Sequence, residues 1–140
     1  MKVSIITISF NSASTISNTI ESVLAQTYSN IEYIVVDGNS KDSTMKIVDS
    51  HKNRIHAIIS EPDKGIYDAM NKGIQLASGD IVGILNSDDF FEENTVVADI
   101  VEHFQNNINA DIVFGDVVFV EPNDLNKVIR YYSSKAFKSA

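Results

Sequence analysis

Cysteine is absent from this sequence, which excludes disulfides and thiolate metal sites and fits a cytosolic setting. Proline and glycine are sparse, at 2 and 6, and no repeat, low-complexity tract or linker interrupts the chain. One domain throughout, residues 1–140, is therefore the expectation. Long hydrophobic runs are missing too, and none approaches the roughly 20 residues that span a bilayer. At the N-terminus a single Lys2 precedes VSIITISF, and Asn11 interrupts the run before any small-residue cleavage site. Neither a signal peptide nor a membrane span is expected. Positive charge is in deficit: 11 Lys and Arg against 19 Asp and Glu give a net charge of -8. Duplex nucleic acid, whose binding depends on clustered Lys and Arg, is not an expected partner. The one mild basic cluster comes late, in KVIRYYSSKAFK. Histidine is limited to His51, His56 and His103 without metal-ligand spacing, so a zinc cage is not expected. No Gly-x-x-x-x-Gly-Lys-Ser/Thr loop or Gly-x-Gly-x-x-Gly turn follows the first apolar run, which argues against a P-loop or a dinucleotide site.

What is present suits a soluble globular domain: 44% apolar and 21% charged residues suffice for a core without implying disorder. Short β-branched runs predict strands over 3–10, 31–36, 55–59 and 81–85, with one or two more over 111–120. Between them the period changes. Ile16, Ile20, Val23 and Leu24 form a helical stripe in a helix starting near Ser14. Asp42 or Ser43 can cap a helix through Ile47 and Val48. A third helix over 66–77 carries Ala69, Gly73 and Ala77 on a small-residue face, ended by Ser78-Gly79, and a fourth covers 96–104. Beyond about Lys127 no periodicity is visible. Strands alternating with crossover helices predict an α/β fold: an open, mostly parallel sheet with helices on both faces.

Ligands bind such sheets outside the carboxyl ends of the strands. Standing there are Ser9-Phe10-Asn11, then Asp37-Gly38-Asn39-Ser40, then Glu61-Pro62-Asp63-Lys64-Gly65, then Asn86-Ser87-Asp88-Asp89. Any one of these acids is an ordinary turn or cap residue. Convergence of the set on one edge points instead to a cation. Hard carboxylate oxygens suit Mg²⁺ or Mn²⁺, held by one or two acids and completed by water and phosphate. A haloacid-dehalogenase-type phosphatase would need Asp-x-Asp after the first strand, where Ser9-Phe10-Asn11 stands. A phospho-receiver domain would carry its acids after strands one and three rather than two and four.

The segments SIITISFN, QTYSNIEYIVVDGNSKDST, GIYDAMNKGIQLASGD and ILNSDD together resemble the N-terminal half of a family 2 glycosyltransferase. The resemblance runs from Val3 to about Phe91. It implies a Rossmann-like GT-A nucleotide-diphospho-sugar transferase fold, a divalent metal, a nucleoside-diphosphate sugar as donor and transfer with inversion. Asp37 matches the family aspartate that accepts from the nucleobase; its carboxylate suits the imide N–H of uracil, so a UDP-sugar is favoured. Ser9 and Asn11 match the loop lining the nucleotide. ILNSDD matches the Asp-x-Asp type of motif with Asn86 in the first position, leaving Asp88 and Asp89 for the metal and Asp88 also for the donor. The segment with Gly65, Asp68, Asn71 and Gly73 is similar as well, although Met70 stands where the family commonly has Arg. Lys64 is either a phosphate contact or a solvated loop lysine, and Asp68 and Asn71 are either donor contacts or helix-surface residues. Tyr67 reads as a half-buried packing residue, and Asp116 as either an acceptor-side acid or a local turn.

The family's general base lies well beyond the acidic pair, and no residue between Phe91 and Ala140 stands out for that role. The chain is thus expected to be the donor-binding part, with the acceptor part missing. The implied acceptor is a glycan or a lipid-linked glycan at the cytoplasmic face of a membrane. The alternative is a nucleotide-sugar-binding or assembly module without catalysis.

Overall fold

The computed structural model describes residues 1–136, so the end of the basic cluster lies outside the described residues. Two compact units divide the chain, Met1–Val101 and Glu102–Ala140.

In the first unit, strands β1 (Val3–Ser9), β2 (Ile31–Asp37), β3 (Ala57–Ser60) and β4 (Ile81–Ile84) form one sheet in the order β3-β2-β1-β4. Every pairing in it is parallel. Helices α1 (Ile16–Leu24), α2 (Thr44–Ser50) and α3 (Ile66–Leu76) lie between successive strands, and α4 (Val96–Asn106) follows the sheet. The predicted open parallel α/β architecture is therefore present. Successive strands step outward from β1 through β2 to β3, after which β4 returns to the other side of β1. That reversal places a crevice between the carboxyl ends of β1 and β4.

Both central strands are buried almost throughout, which explains their aliphatic content, while Ser4, Thr7, Ser9, Glu32 and Asp37 are buried polar residues among it. Alternation sorts their side chains by face. Ile6, Ile8, Ile34 and Val36 pack with Ala69 of α3, flanked by Ala57, Met70 and Ala77. Burying each such large aliphatic side chain stabilises the fold by roughly 1.5–3 kcal/mol. Gly73 is required for this approach, because a Cβ there would run into the Cγ2 of Ile6. Met70, in the position of the family arginine, is thus part of the core. On the opposite face Ile5, Tyr33 and Val35 are equally buried, and α1 packs against β1 and α2. Ile16, Ile20 and Val23 of the expected stripe are buried, joined by Thr19.

At the amino end of the sheet, Glu32 is bound by four donors. Its Oε1 accepts from Lys2 Nζ at 2.5 Å and Ser78 Oγ at 2.7 Å. Its Oε2 accepts from Ser4 Oγ at 2.6 Å and the Ser78 backbone N–H at 2.8 Å. Burial alone would raise the Glu32 carboxyl, but the Lys2 ammonium and the Ser4 and Ser78 donors together hold it well below the usual carboxylate range.

The sequence-based expectation differs from the structure in the last third. A strand over 111–120 was to extend the parallel sheet. Instead β5 (Val117–Glu121) pairs antiparallel with β6 (Asp124–Tyr132) as a separate two-stranded ribbon. The reason is a short turn at 122–123, which brings the next segment back antiparallel where a parallel neighbour would need a crossover. Register shifts on either side of Val120 mark a bulge. Arg130 lies over the Tyr132 ring at 4.5 Å, and Phe119 meets the same ring edge-on at 5.8 Å.

Candidate functional site

The register sets the chemistry at the carboxyl edge. Ser9 of β1 pairs with Asp37 of β2, and Asp37 pairs with Ser60 of β3, so one carboxylate stands between two hydroxyls. Ser9 Oγ donates to Asp37 Oδ1 at 3.1 Å and Ser60 Oγ to Oδ2 at 2.7 Å. The chain then turns, and Ser40 adds its backbone N–H to Oδ2 at 2.9 Å and its hydroxyl to Oδ1 at 2.5 Å. A carboxylate has about four acceptor positions, and these donors fill them on a side chain with no exposed surface. Asp37, expected to face a nucleobase, is here the buried centre of a serine shell.

Residues after β1 are fastened to the loop after β2 rung by rung. The Asn11 N–H donates to Ser40 Oγ at 2.8 Å, and Asn11 Oδ1 accepts from the Lys41 N–H at 2.9 Å. The Ser12 N–H donates to Thr44 Oγ1 at 2.8 Å and the Ala13 N–H to Asp42 Oδ2 at 3.0 Å. Asp42 Oδ1 also accepts from the Thr44 N–H at 2.9 Å. Of the two expected caps, Ser43 holds the N-cap position of α2 without a side-chain cap bond, while Asp42, one residue earlier, braces Thr44 and the neighbouring loop. Asn11 has a φ of +50° and Asn39 of +64°, the left-handed region that asparagine tolerates better than other non-glycine residues.

Between β1 and β4 opens a cleft of about 740 Å³ whose wall includes Ser9, Asn11, Ser12, Asp63, Ser87 and Asp88. The loop after β4 is held to β1 by the Ser87 N–H, which donates to the Ile8 carbonyl at 3.1 Å. Ser87 and Ser12 hydroxyls meet at 2.7 Å, tying the two sides of the crevice together. The Asp89 N–H donates to the Asn86 carbonyl at 3.0 Å. Asn86 Nδ2 approaches Asp89 Oδ2 at 3.4 Å, and its own Oδ1 is buried without a partner. Asn86 therefore puts a donor beside Asp89 where a third carboxylate would repel it. Partial burial, and then the charge of Asp88, raise the Asp89 carboxyl above the ordinary range, with the Asn86 amide opposing them.

A carboxylate raised by its acidic neighbour suits a divalent cation. Among the described residues no group of three or more His, Cys, Asp or Glu side chains converges for a metal. Asp88 and Asp89 can therefore supply the acidic ligands only if phosphate and water complete the shell, which is the habit of Mg²⁺-type ions.

The remaining expected residues fall outside this wall. Lys64 is exposed, and its backbone N–H donates to Asp68 Oδ2 at 3.1 Å. Asp68 thereby serves the start of α3 and lies 3.6 Å from Lys72 Nζ. Lys72 also pairs with Glu61 at 2.9 Å. Asn71 is exposed on α3. Tyr67 corrects the expectation of half-burial: it is 77% exposed in the first turn of α3, where Ile66 is exposed as well. In the second unit Asp116 accepts from the Tyr131 hydroxyl and from the Ser134 N–H and hydroxyl. Those donors, Tyr131 foremost, hold it down at about 2, so the local-turn alternative describes its contacts. Sequence reasoning placed Ser40 and Ser87 at the strand ends without giving them a role, and it missed Ser12, Ser60 and Thr44. A small hydroxyl at a strand end was the available signal for Ser60.

A family model described as "Glycosyl transferase family 2" matches residues 4–139. An uncharacterized glycosyltransferase of Mycobacterium tuberculosis is 46% identical over 101 residues, covering 71% of this chain and 38% of that protein. An Escherichia coli UDP-Glc:alpha-D-GlcNAc-diphosphoundecaprenol beta-1,3-glucosyltransferase is 36% identical over 124 residues, covering 88% of this chain and 48% of that one. The chain thus spans less than half the length of these relatives. Among solved structures, S. aureus TarS residues 1–349 in complex with UDP-GlcNAc superposes with a TM-score of 0.70 at 25% identity, covering 77% of this chain and 32% of that one. A Pyrobaculum calidifontis mannosyltransferase in complex with GDP-Man and Mn²⁺ shares the fold at a TM-score of 0.70 and 24% identity, covering 89% of this chain and 37% of that one.

Proposed function

The chain belongs to glycosyl transferase family 2, and from that premise we propose that it forms the donor-binding part of a sugar transferase. The donor is a nucleoside-diphosphate sugar, with UDP favoured, and the acceptor is a glycan or a lipid-linked glycan. The observation that carries this proposal is the cleft at the β1/β4 switch point with Asp88 in its wall and Asp89 beside it. Further support comes from the E. coli relative, whose name gives UDP-Glc as donor and a diphosphoundecaprenol-linked acceptor.

Ser9, Asn11 and Ser12 border the nucleotide side of the cleft, while Asp88 and Asp89 would hold Mn²⁺ or Mg²⁺. The bound cation supplies Lewis-acid stabilisation of the departing diphosphate. An acceptor hydroxyl displaces that group at the anomeric carbon in one step, which inverts the centre. Its proton passes to a general base supplied from the acceptor part. Lys64, Asp68 and Asn71 remain candidates for the outer donor contacts through the first turns of α3. An acceptor anchored in lipid places the reaction at a membrane face, cytoplasmic by this proposal. Among the described residues no helix is long and apolar enough to cross the membrane itself.

Calorimetric titration of the protein with UDP and Mn²⁺ tests the donor site. Saturable binding that disappears with EDTA, and that Asp88→Asn weakens at least tenfold, is the expected result. Equal binding with and without metal would remove the acidic pair from the site.

A further inference from the structure

We infer that Ser40 is a positioning residue for the nucleotide side of the cleft, relaying the fixed Asp37 carboxylate to Asn11. This deepens the donor-site reading and rests on it for the ligand.

A serine hydroxyl has one proton and two acceptor positions. In Ser40 the proton goes to Asp37 Oδ1 and a lone pair takes the Asn11 N–H at 2.8 Å. The direction follows from the Asn11 N–H, which can only donate and so occupies a lone pair of the hydroxyl, leaving its proton for Asp37. Asp37 is in turn immobile: Ser9 and Ser60 hold it from both neighbouring strands, and the Ser40 N–H holds it from its own loop. Rigidity of the sheet is therefore transmitted to Asn11 through one hydroxyl group.

Asn11 needs this support. Its φ of +50° is unfavourable for a residue with a Cβ, and the compensating bonds on its main-chain N–H and side-chain oxygen both come from the 40–41 loop. With Oδ1 held by Lys41, the Asn11 side chain has its NH₂ group as the free donor in the cleft wall. Loss of the Ser40 hydroxyl would release the Asn11 main chain toward ordinary φ values and turn that donor away. Ser40 itself is not part of the cleft wall, so its influence on a ligand would be exerted through Asn11.

Two readouts on the full chain test this. In ligand-free protein, hydrogen exchange of the Asn11 amide should speed up at least tenfold in Ser40→Ala and return toward the original rate in Ser40→Thr, which restores a hydroxyl. Ser40→Cys, which keeps the side-chain shape with a far weaker donor and acceptor, gives the same readout in reduced size should the alanine variant fold poorly. In calorimetry with UDP and Mn²⁺, Ser40→Ala should raise Kd about tenfold, equivalent to about 1.4 kcal/mol. Made on top of Asn11→Gly, where positive φ carries no penalty, the same change should cost under twofold. Asn11 exchange unchanged in Ser40→Ala, or additive effects of the two substitutions on Kd, would overturn the relay. Amide exchange decides the relay whether or not UDP binds, whereas failure of UDP to bind the unsubstituted protein counts against the donor-site reading alone.

Discussion

Replacing Glu32 by glutamine exchanges one carboxylate oxygen for an amide nitrogen in a network far from the cleft. Its four donors are not equivalent. The Ser78 backbone N–H, bound to Oε2, can only donate, so the amide oxygen must take the Oε2 place and keep Ser4 with it. The NH₂ group then faces Lys2 and the Ser78 hydroxyl on the other side. That hydroxyl can rotate to accept, but the ammonium cannot. The Lys2 contact is lost, worth about 1 kcal/mol for an ammonium whose side chain is 36% exposed. Bonds from Ser4 and the Ser78 N–H lose their charge assistance, roughly 1 kcal/mol each. Against these losses stands the relief of no longer burying a charge, which leaves about 2 kcal/mol of net destabilisation at neutral pH. With a urea m-value of about 2 kcal/mol per molar, the midpoint should fall by about 1 M at unchanged m. A second signature is pH dependence. The folded-state carboxyl is depressed, so Glu32 contributes its full stability above the ordinary value of 4.5. That contribution is lost as pH falls below it toward the folded value. The gap between the two proteins should therefore narrow in acid. A difference under 0.5 kcal/mol at pH 7, or a gap that stays constant down to pH 3, would refute this account.

The remaining predictions concern the packing of α3 and the acidic pair. Gly73→Ala gains about 1 kcal/mol of helix propensity but drives a methyl into Ile6, which has no exposed surface; a net loss of about 1–2 kcal/mol in thermal or urea unfolding is expected. Gly65, with φ at +110° and open space around its Cβ position, separates strain from collision: Gly65→Ala should cost about 1 kcal/mol by backbone strain alone, and an unchanged unfolding midpoint would contradict that. Because Asp89 is raised above its ordinary 3.8 and must ionise to bind a cation, metal-dependent UDP binding should weaken in acid, starting above that value. Calorimetry at several pH values reads this directly, and pH-independent affinity down to 4 would argue against Asp89 as a ligand.

Much of the first unit was legible because burial on both faces leaves a plain mark. Residues 3–9 and 31–37 are rich in aliphatic side chains, and the stripes of α1 and α3 show a helix covering them. Contacts of Asp37 were not legible in the same way. They depend on which residues of three strands come level, and register is a property of the assembled sheet. Ser60 is unremarkable in the sequence, and Ser9 is a strand-end residue with no visible link to Asp37, until both flank that carboxylate. The ribbon of the second unit escaped for the opposite reason. Every residue of β6 is exposed, so no buried face imposes alternation on its sequence. Tyr67 was misjudged because a large aromatic ring suggests packing, whereas the first turn of α3 leaves it exposed.

The strand order has a consequence for synthesis. β1 is made first, and β2 can pair with it as soon as residue 37 has emerged, but its other neighbour is β4, which begins at Ile81. Through that interval the nascent chain carries an apolar strand with one edge of unpaired peptide groups, the kind of template on which chains aggregate. Any protease cut or stop before residue 81 would fix that condition permanently. The same closure brings Ser87 to Ser12, so the cleft forms only once β4 has joined β1.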